Sequence, residues 1–259
     1  MLTIGEYTLQ VLASRQLRRP TIHSYIKTVK LLGLWDEPLE RVTLQFLYET
    51  LLKVASSNTR RKDTIALRSI FRDYPWAKQL KIPRGTPRVY NLPEEAMLRF
   101  TLMLCPYELQ GLLMMYAGLR CGEACAVGPG DVRGNVLSVF KQMYDDGSIA
   151  QAKTVGYVVI PRWLAVRIGT MERVPITPGA VRESFRRYGL KTGIHLNPHM
   201  LRHWYATQLV KKRINPEIAR RQLRHSDLKT TLGWYTQVSK EDIEEVVDDL
   251  FDNGDDNEG

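Results

Sequence analysis

Residues 197–210 read NPHMLRHWYATQLV, and the spacing of their polar side chains is the most informative pattern in the chain. His199 and Arg202 are three residues apart, so a helix places them on one face. His203 follows His199 by four residues, a spacing at which two histidines can bind a metal. The metalloprotease motif also requires Glu directly after the first histidine, and Met200 occupies that position. The stretch therefore argues against a metal site of that type.

Two further segments carry polar residues of the same kind. Residues 116–127 read YAGLRCGEACAV, with Arg120 shortly after a glycine and Glu123 one helical turn later. Residues 222–238 read QLRHSDLKTTLGWYTQV and contain His225 and Tyr235. Taken singly, Arg120 and Glu123 could form a local ion pair, and a tyrosine in such a segment more often packs than reacts. The joint pattern of the three segments is what indicates chemistry.

Together the segments resemble the conserved boxes of the tyrosine recombinases, the family of the phage integrases. G-L-R-x-G-E resembles the first box. H-x-L-R-H-x-x-A-T, then L-x-H-S-x-x-x-T-T and a tyrosine before a threonine, resemble the second. The order and spacing of these segments match those of the family from about Leu92 to Leu250. The T-T-L-x-x-Y arrangement is similar to that of actinobacteriophage integrases, so the nucleophile position falls on Tyr235 and not on Trp234.

The resemblance implies a role for each matching residue. Arg120 and Arg202 take the positions of two arginines that clamp a phosphate. His199 and His225 take those of two active-site histidines, and Tyr235 that of the nucleophile. The implied reaction is cleavage and rejoining of duplex DNA through a 3′-phosphotyrosine, with no metal or cofactor.

A lysine is also implied, on the hairpin of the family. Residues 151–161, QAKTVGYVVIP, resemble the end of that hairpin, so Lys153 takes the place of the catalytic lysine. Lys141, on the preceding strand, is the alternative. Glu123 is expected to support the site.

The chemistry of strand exchange agrees with these residue types. A covalent tyrosine intermediate conserves the energy of the phosphodiester, so DNA can be rejoined without another energy source. Two guanidinium forks suit the charge that spreads over the phosphate oxygens. A base such as His199 can take the tyrosine proton, and Lys153 can protonate the departing 5′ oxygen.

The sequence also departs from the family pattern at three positions. Arg224 stands before His225, where the family usually has glycine, and Arg213 replaces a common glycine after the second-box helix. A glycine suits a tight turn with unusual backbone angles, so Arg224 predicts an altered local geometry. Gln237 stands where many members have histidine.

The pattern of elements, together with the resemblance, predicts a mainly α protein with a small antiparallel β-sheet, organised as a two-domain DNA clamp. Residues 1–82 are expected to form a helical, SAM-like core-binding domain, and 83–92, rich in Pro, Gly and Arg, a linker. Residues 93–240 are expected to form the catalytic domain and 241–259 an acidic helix and tail. Strands are predicted at 135–144, 149–153 and 157–161.

Apolar spacing predicts helices at 21–34, at 44–54 and after a cap at 56–58. Arg60, Arg61 and Lys62 open the third helix, where positive charge opposes the helix dipole and so favours an anionic partner. We expect these residues, with Arg84 and Arg88 of the linker, to contact DNA. The chain begins directly with this domain, which predicts either an integrase without an arm-binding domain or a truncated one.

Charge is distributed unevenly along the chain. The formal net charge is +9, yet residues 241–259 hold ten acids and none of the 37 Lys and Arg residues. The remaining body is therefore strongly basic, which favours a polyanionic partner. The cysteines, three in number, imply no disulfide framework. With no signal peptide or membrane span in the sequence, we expect a cytoplasmic protein of a phage-infected or lysogenic bacterium.

Apolar residues in 241–251 recur at helical spacing, namely Ile243, Val246, Val247, Leu250 and Phe251. Such a stripe could pack on its own domain or dock on a neighbouring protomer. The resemblance implies a free monomer that assembles as a homotetramer on paired core-type attachment sites. A type IB topoisomerase, or a DNA-binding regulator without activity, are the alternative functions.

Overall fold

The computed structural model describes residues 1–86, 92–172 and 174–227. In these residues the chain is mainly helical and carries one three-stranded antiparallel sheet, which confirms the predicted fold class. The chain divides into two compact units, Met1–Val89 and Tyr90–Gly259. The division falls inside the segment 83–92 that the sequence predicts as a linker.

The described residues of the N-terminal unit contain four α-helices: α1 (Ile4–Ala13), α2 (Arg19–Leu31), α3 (Leu44–Leu52) and α4 (Ser57–Ile70). Ser56 caps α4 by accepting a hydrogen bond from the backbone N–H of Thr59, as the sequence predicts. Helix α2 starts earlier than the predicted residue 21, because Pro20 fits the first turn of a helix. Phe71 lies fully buried in the core and stacks on Tyr7.

The second unit contains seven helices and the sheet among its described residues. They are α5 (Glu95–Met103), α6 (Glu108–Ala117), α7 (Cys121–Ala126), β1 (Val132–Arg133), β2 (Val136–Met143), β3 (Ile149–Val159), α8 (Arg162–Gly169), α9 (Pro178–Thr192), α10 (Pro198–Lys211) and α11 (Pro216–Leu223).

Helix α6 is the centre of this unit. Its residues 112–115 are buried, and α10 packs against it. Helix α7 packs on β2, and α11 packs on β3. The first motif segment therefore spans the end of α6 and α7, the second is α10, and the third begins at the end of α11. Packing brings together three segments that are far apart in sequence.

The sheet differs from the prediction in one respect. Two short strands were expected at 149–153 and 157–161, but β3 is one continuous strand. Its pairing with β2 is irregular: Val139 pairs with Gly156, and Lys141 pairs with Gln151. One residue of β2 is thus opposite four residues of β3, which is a bulge. Local sequence pattern does not reveal a bulge, because the partner strand defines it.

In the described parts of both units, every helix is too short or too polar to span a bilayer.

Candidate active site

Arg202 is held in place by both of the other motif segments. Its helix, α10, begins at Pro198, after Asn197, whose side chain accepts from the backbone N–H of Met200 at 3.0 Å. The Arg202 side chain donates through Nη2 to the carbonyl of Leu223 at 2.6 Å and through Nη1 to the carbonyl of Gly118. Because Arg202 is only 8% exposed, these bonds fix a buried charge.

Gly118 is required where α6 ends. It adopts a left-handed conformation, with φ of 60°, and a Cβ there would lie 2.6 Å from Cδ1 of Tyr205. The glycine thus ends the helix without a clash, and its carbonyl accepts from Arg202. This is the structural reason for the glycine of the first motif.

Glu123 joins two arginines at the base of the site. The carboxylate is buried; Oε1 lies 2.9 Å from Nη1 of Arg120, and Oε2 accepts from the backbone N–H of Arg120 at 2.9 Å. Oε2 also pairs with Nη2 of Arg224. Burial alone would raise the pKa of Glu123, but Arg224 and Arg120 outweigh burial and lower that pKa. The carboxylate is therefore ionised and shared.

Positive charge exceeds negative charge in this cluster. Three guanidinium groups, those of Arg120, Arg202 and Arg224, gather around the one carboxylate of Glu123. Burial, then Arg120 and Arg224, lower the pKa of Arg202 to about 9, which leaves it charged at neutral pH. A buried site with excess positive charge is suited to an anion.

His225 lies next to the arginines and is neutral. Its backbone N–H donates to the carbonyl of Arg220 at 3.0 Å, and Nη1 of Arg220 donates back to the carbonyl of His225 at 3.0 Å. Burial, then the charges of Arg202, Arg120 and Arg224, lower the pKa of His225 to about 4. At neutral pH its ring can therefore donate one hydrogen bond without adding charge.

His199 is exposed at the start of α10, beside a cavity of about 300 Å³. The cavity is also lined by Arg120, Arg202 and Arg182. Arg182, on α9, pairs with Asp145 at 2.5 Å. The sequence reasoning missed Arg182, because no local motif marks it and only the packing of α9 brings it to the cavity.

The two candidate lysines differ in their surroundings. Lys141 pairs with Asp131, with Nζ 2.8 Å from Oδ2, and Asp131 is buried. Lys153 is exposed and lies in the bulged part of β3. A bulge re-aims side chains, and an exposed lysine is available to a ligand. The surroundings thus favour Lys153 over Lys141.

Two candidate DNA contacts of the N-terminal unit make bonds within the chain. Arg60 donates to the carbonyl of Val54, with Nη2 at 2.6 Å. Arg61 donates to the carbonyl of Pro83 at 2.8 Å. Both arginines thus hold adjacent loops in place, a structural role that the charge pattern alone did not reveal.

Lys62 and Arg84 are exposed. Arg88 lies outside the described residues, as do Tyr235, Trp234, Gln237 and the whole segment 241–259. The structure therefore places Arg120, Glu123, Arg202 and His225 in one cluster and His199 beside the same cavity. In the described ranges no group of three or more His, Cys, Asp or Glu side chains could hold a metal ion.

Comparison with known proteins agrees with the motifs. The model of the phage integrase family matches residues 132–242. A tyrosine recombinase of Pseudothermotoga lettingae is 24% identical, over 93% of this chain and 95% of its own length. Tyrosine recombinase XerA of Pyrococcus horikoshii is 26% identical over 66% of this chain, which spans 64% of that relative's length.

Residues 132–242 thus match the phage integrase family, and the chain is similar to tyrosine recombinases.

Solved integrase structures share the fold of this chain. The Tn1549 transposon integrase, in complex with transposon right end DNA, aligns over 96% of this chain and 99% of its own, with a TM-score of 0.73 and 17% identity. A lambda integrase dimer bound to a COC′ core site aligns over 90% of this chain and 95% of its own, with a TM-score of 0.71 and 19% identity.

Proposed function

We propose that the chain is a site-specific DNA recombinase of the integrase type, which cleaves and rejoins duplex DNA through Tyr235. The observation that carries the proposal is the cluster of Arg120, Arg202 and His225. These side chains come from three distant motif segments and enclose excess positive charge. A phosphodiester is the anion that such a cluster can bind with two guanidinium forks.

The proposed reaction exchanges one phosphodiester for another. The Tyr235 hydroxyl attacks phosphorus and gives its proton to His199, so that the bond between tyrosine oxygen and phosphorus forms. The bond from phosphorus to the 5′ oxygen breaks, and Lys153 gives that oxygen its proton. A 5′ hydroxyl of the partner strand then reverses the sequence and releases the tyrosine.

The buried groups stabilise charge in this scheme. Arg120 and Arg202 bind the non-bridging oxygens, where negative charge develops in the transition state. His225, neutral at pH 7, donates one hydrogen bond to the same phosphate. Because Arg202 is fixed by two carbonyls, its guanidinium needs little reorganisation when the phosphate enters.

Double-stranded DNA with core-type sites is the proposed substrate, bound by a homotetramer that assembles from monomers on paired sites. Solved structures support the DNA part of this proposal: those of the Tn1549 and lambda integrases contain transposon-end and core-site DNA, respectively. The basic body of the chain is suited to such a polyanion.

The test is a covalent trap. The full chain is incubated with nicked duplexes of randomised sequence, and adducts that survive SDS are isolated and sequenced. We expect adducts at one recurring sequence, absent with Tyr235→Phe and present with Tyr157→Phe, a control at an exposed strand tyrosine. An adduct that persists in Tyr235→Phe would refute the nucleophile, and relaxation of any supercoiled plasmid without a defined site would indicate a topoisomerase.

A further inference from the structure

Arg224 is a buried arginine in an unusual backbone conformation. It ends α11 with φ of 51° and ψ of 45°, in the left-handed region where residues with a Cβ are uncommon. Its side chain is 3% exposed. Burial and the left-handed backbone are both unfavourable for an arginine. Their cost indicates that the guanidinium makes compensating interactions at this position.

One end of the guanidinium has a clear partner. Nη2 pairs with Oε2 of Glu123, the carboxylate that binds Arg120 through Oε1. Arg224 and Arg120 are therefore tied to each other through a single buried acid. A Cβ at Gly156 would lie 3.4 Å from Cδ of Arg224, so the stem of the arginine also lies against β3, the strand of Lys153.

The other two nitrogens are unsatisfied. Nε and Nη1 of Arg224 are buried and have no hydrogen-bond partner in the parts of the chain that the structure describes. Buried N–H groups of a charged side chain are normally paired, so an absent partner that accepts hydrogen bonds is indicated. The excess positive charge of the cluster favours an anion as this partner.

We infer that Arg224 is a third arginine of the phosphate site, which positions Arg120 through Glu123 and adds a buried charge that strengthens phosphate binding. The inference rests on the proposed function, since it assigns the bound anion to a phosphate. The cost of the left-handed backbone is then offset by the ion pair and by the bound anion.

The test is the affinity of the full chain for inorganic phosphate, measured by calorimetry at constant ionic strength, which requires no knowledge of the DNA site. Arg224→Gly removes the guanidinium and also relieves the left-handed backbone. We expect it to weaken phosphate binding about tenfold, the size of one lost charged hydrogen bond. Arg224→Lys restores the charge without the fork, so we expect it to recover part of that loss.

Arg213→Gly is the matched control, because Arg213 is also a left-handed arginine, with φ of 52°, but is exposed. It should leave phosphate affinity unchanged, and circular dichroism should show that all variants are folded. Should Arg224→Gly be misfolded, Arg224→Lys alone decides, by binding phosphate more weakly than the unsubstituted chain.

The outcomes separate the inference from the proposed function. If phosphate affinity depends on Arg120 and Arg202 but is unchanged in both Arg224 variants, Arg224 only neutralises Glu123 and the inference is wrong. If the chain shows no phosphate binding that depends on Arg120, the phosphate site itself is refuted, and the inference with it.

Discussion

At the scale of single residues, Glu123 is the acid on which the site depends. It is buried, ionised, and bonded to Arg120 and Arg224 at once. A charge buried beside opposite charges is costly to remove, because its partners stay buried without compensation. Glu123 therefore links the stability of the fold to the order of the arginines.

Glu123→Gln should destabilise the chain strongly. We expect a loss of about 3–5 kcal/mol in the free energy of unfolding, the range for breaking a buried ion pair. The measurement is urea unfolding followed by tryptophan fluorescence. Glu217→Gln is the matched control, because Glu217 pairs with Arg220 and Arg221 at the surface. This variant should lose much less free energy of unfolding. Equal losses in the two variants would show that Glu123 is not a buried structural charge.

His225 should titrate far below an ordinary histidine. Its pKa is lowered to about 4, first by burial and then by the neighbouring arginines. Proton NMR of the ring Cε1–H signals should show two histidines that stay neutral down to about pH 4, His225 and His203, and His225→Gln should remove one of these two signals. A His225 signal that titrates near the ordinary value of about 6.5 would contradict the assigned environment.

The same shift affects stability. The folded state keeps His225 neutral, while the unfolded state binds a proton below about pH 6.5. Below about pH 6.5, protonation of His225 therefore favours the unfolded state. The free energy of unfolding is unaffected by His225 protonation above that pH and decreases as the pH falls towards 4. Unfolding midpoints between pH 7 and 5 should fall more for the unsubstituted chain than for His225→Gln. His203, whose pKa is also lowered to about 4, affects both proteins alike.

At the scale of elements, the helices could be predicted and the site contacts could not. The cap at Ser56 and the apolar spacing of α4 are local signals, so the helix was evident from the sequence. The continuous β3 was missed, because its bulge depends on the register with β2. The sequence marked Arg224 as a departure, but its bond to Glu123 joins residues 101 apart, and no local pattern contains that information.

The bulged strand β3 provides a test of the lysine assignment. Lys153→Ala should abolish or strongly slow adduct formation on the nicked site and leave the unfolding transition unchanged, because Lys153 is exposed. Lys141→Ala should show the opposite pattern, since it leaves buried Asp131 without its ion pair and so lowers stability. The comparison uses single-turnover adduct formation and urea unfolding. Reduced stability with Lys153→Ala, and lost cleavage only with Lys141→Ala, would reverse the assignment.

At the scale of the whole molecule, residues 241–259 differ from the rest of the chain in charge. The ten acids of 241–259 follow a body that contains every Lys and Arg. Such a segment weakens non-specific attraction to DNA, because it opposes the field of the body. The spacing of its apolar residues is a separate signal, because it predicts a helix whose apolar face would need a surface to cover it.

Deleting residues 241–259 should separate DNA binding from recombination. We expect the truncated chain to bind DNA more tightly at low salt, because ten negative charges are gone, but to form fewer paired-site complexes and less recombinant product. Two full-length variants distinguish the causes. Replacing the acids by their amides should reproduce only the tighter binding, whereas Val247→Asn with Leu250→Asn should reproduce only the lost pairing, because the first change alters only charge and the second only the apolar face. Native gels measure the paired complexes, and recombination at the full rate by the truncated chain would show that the stripe has no part in assembly.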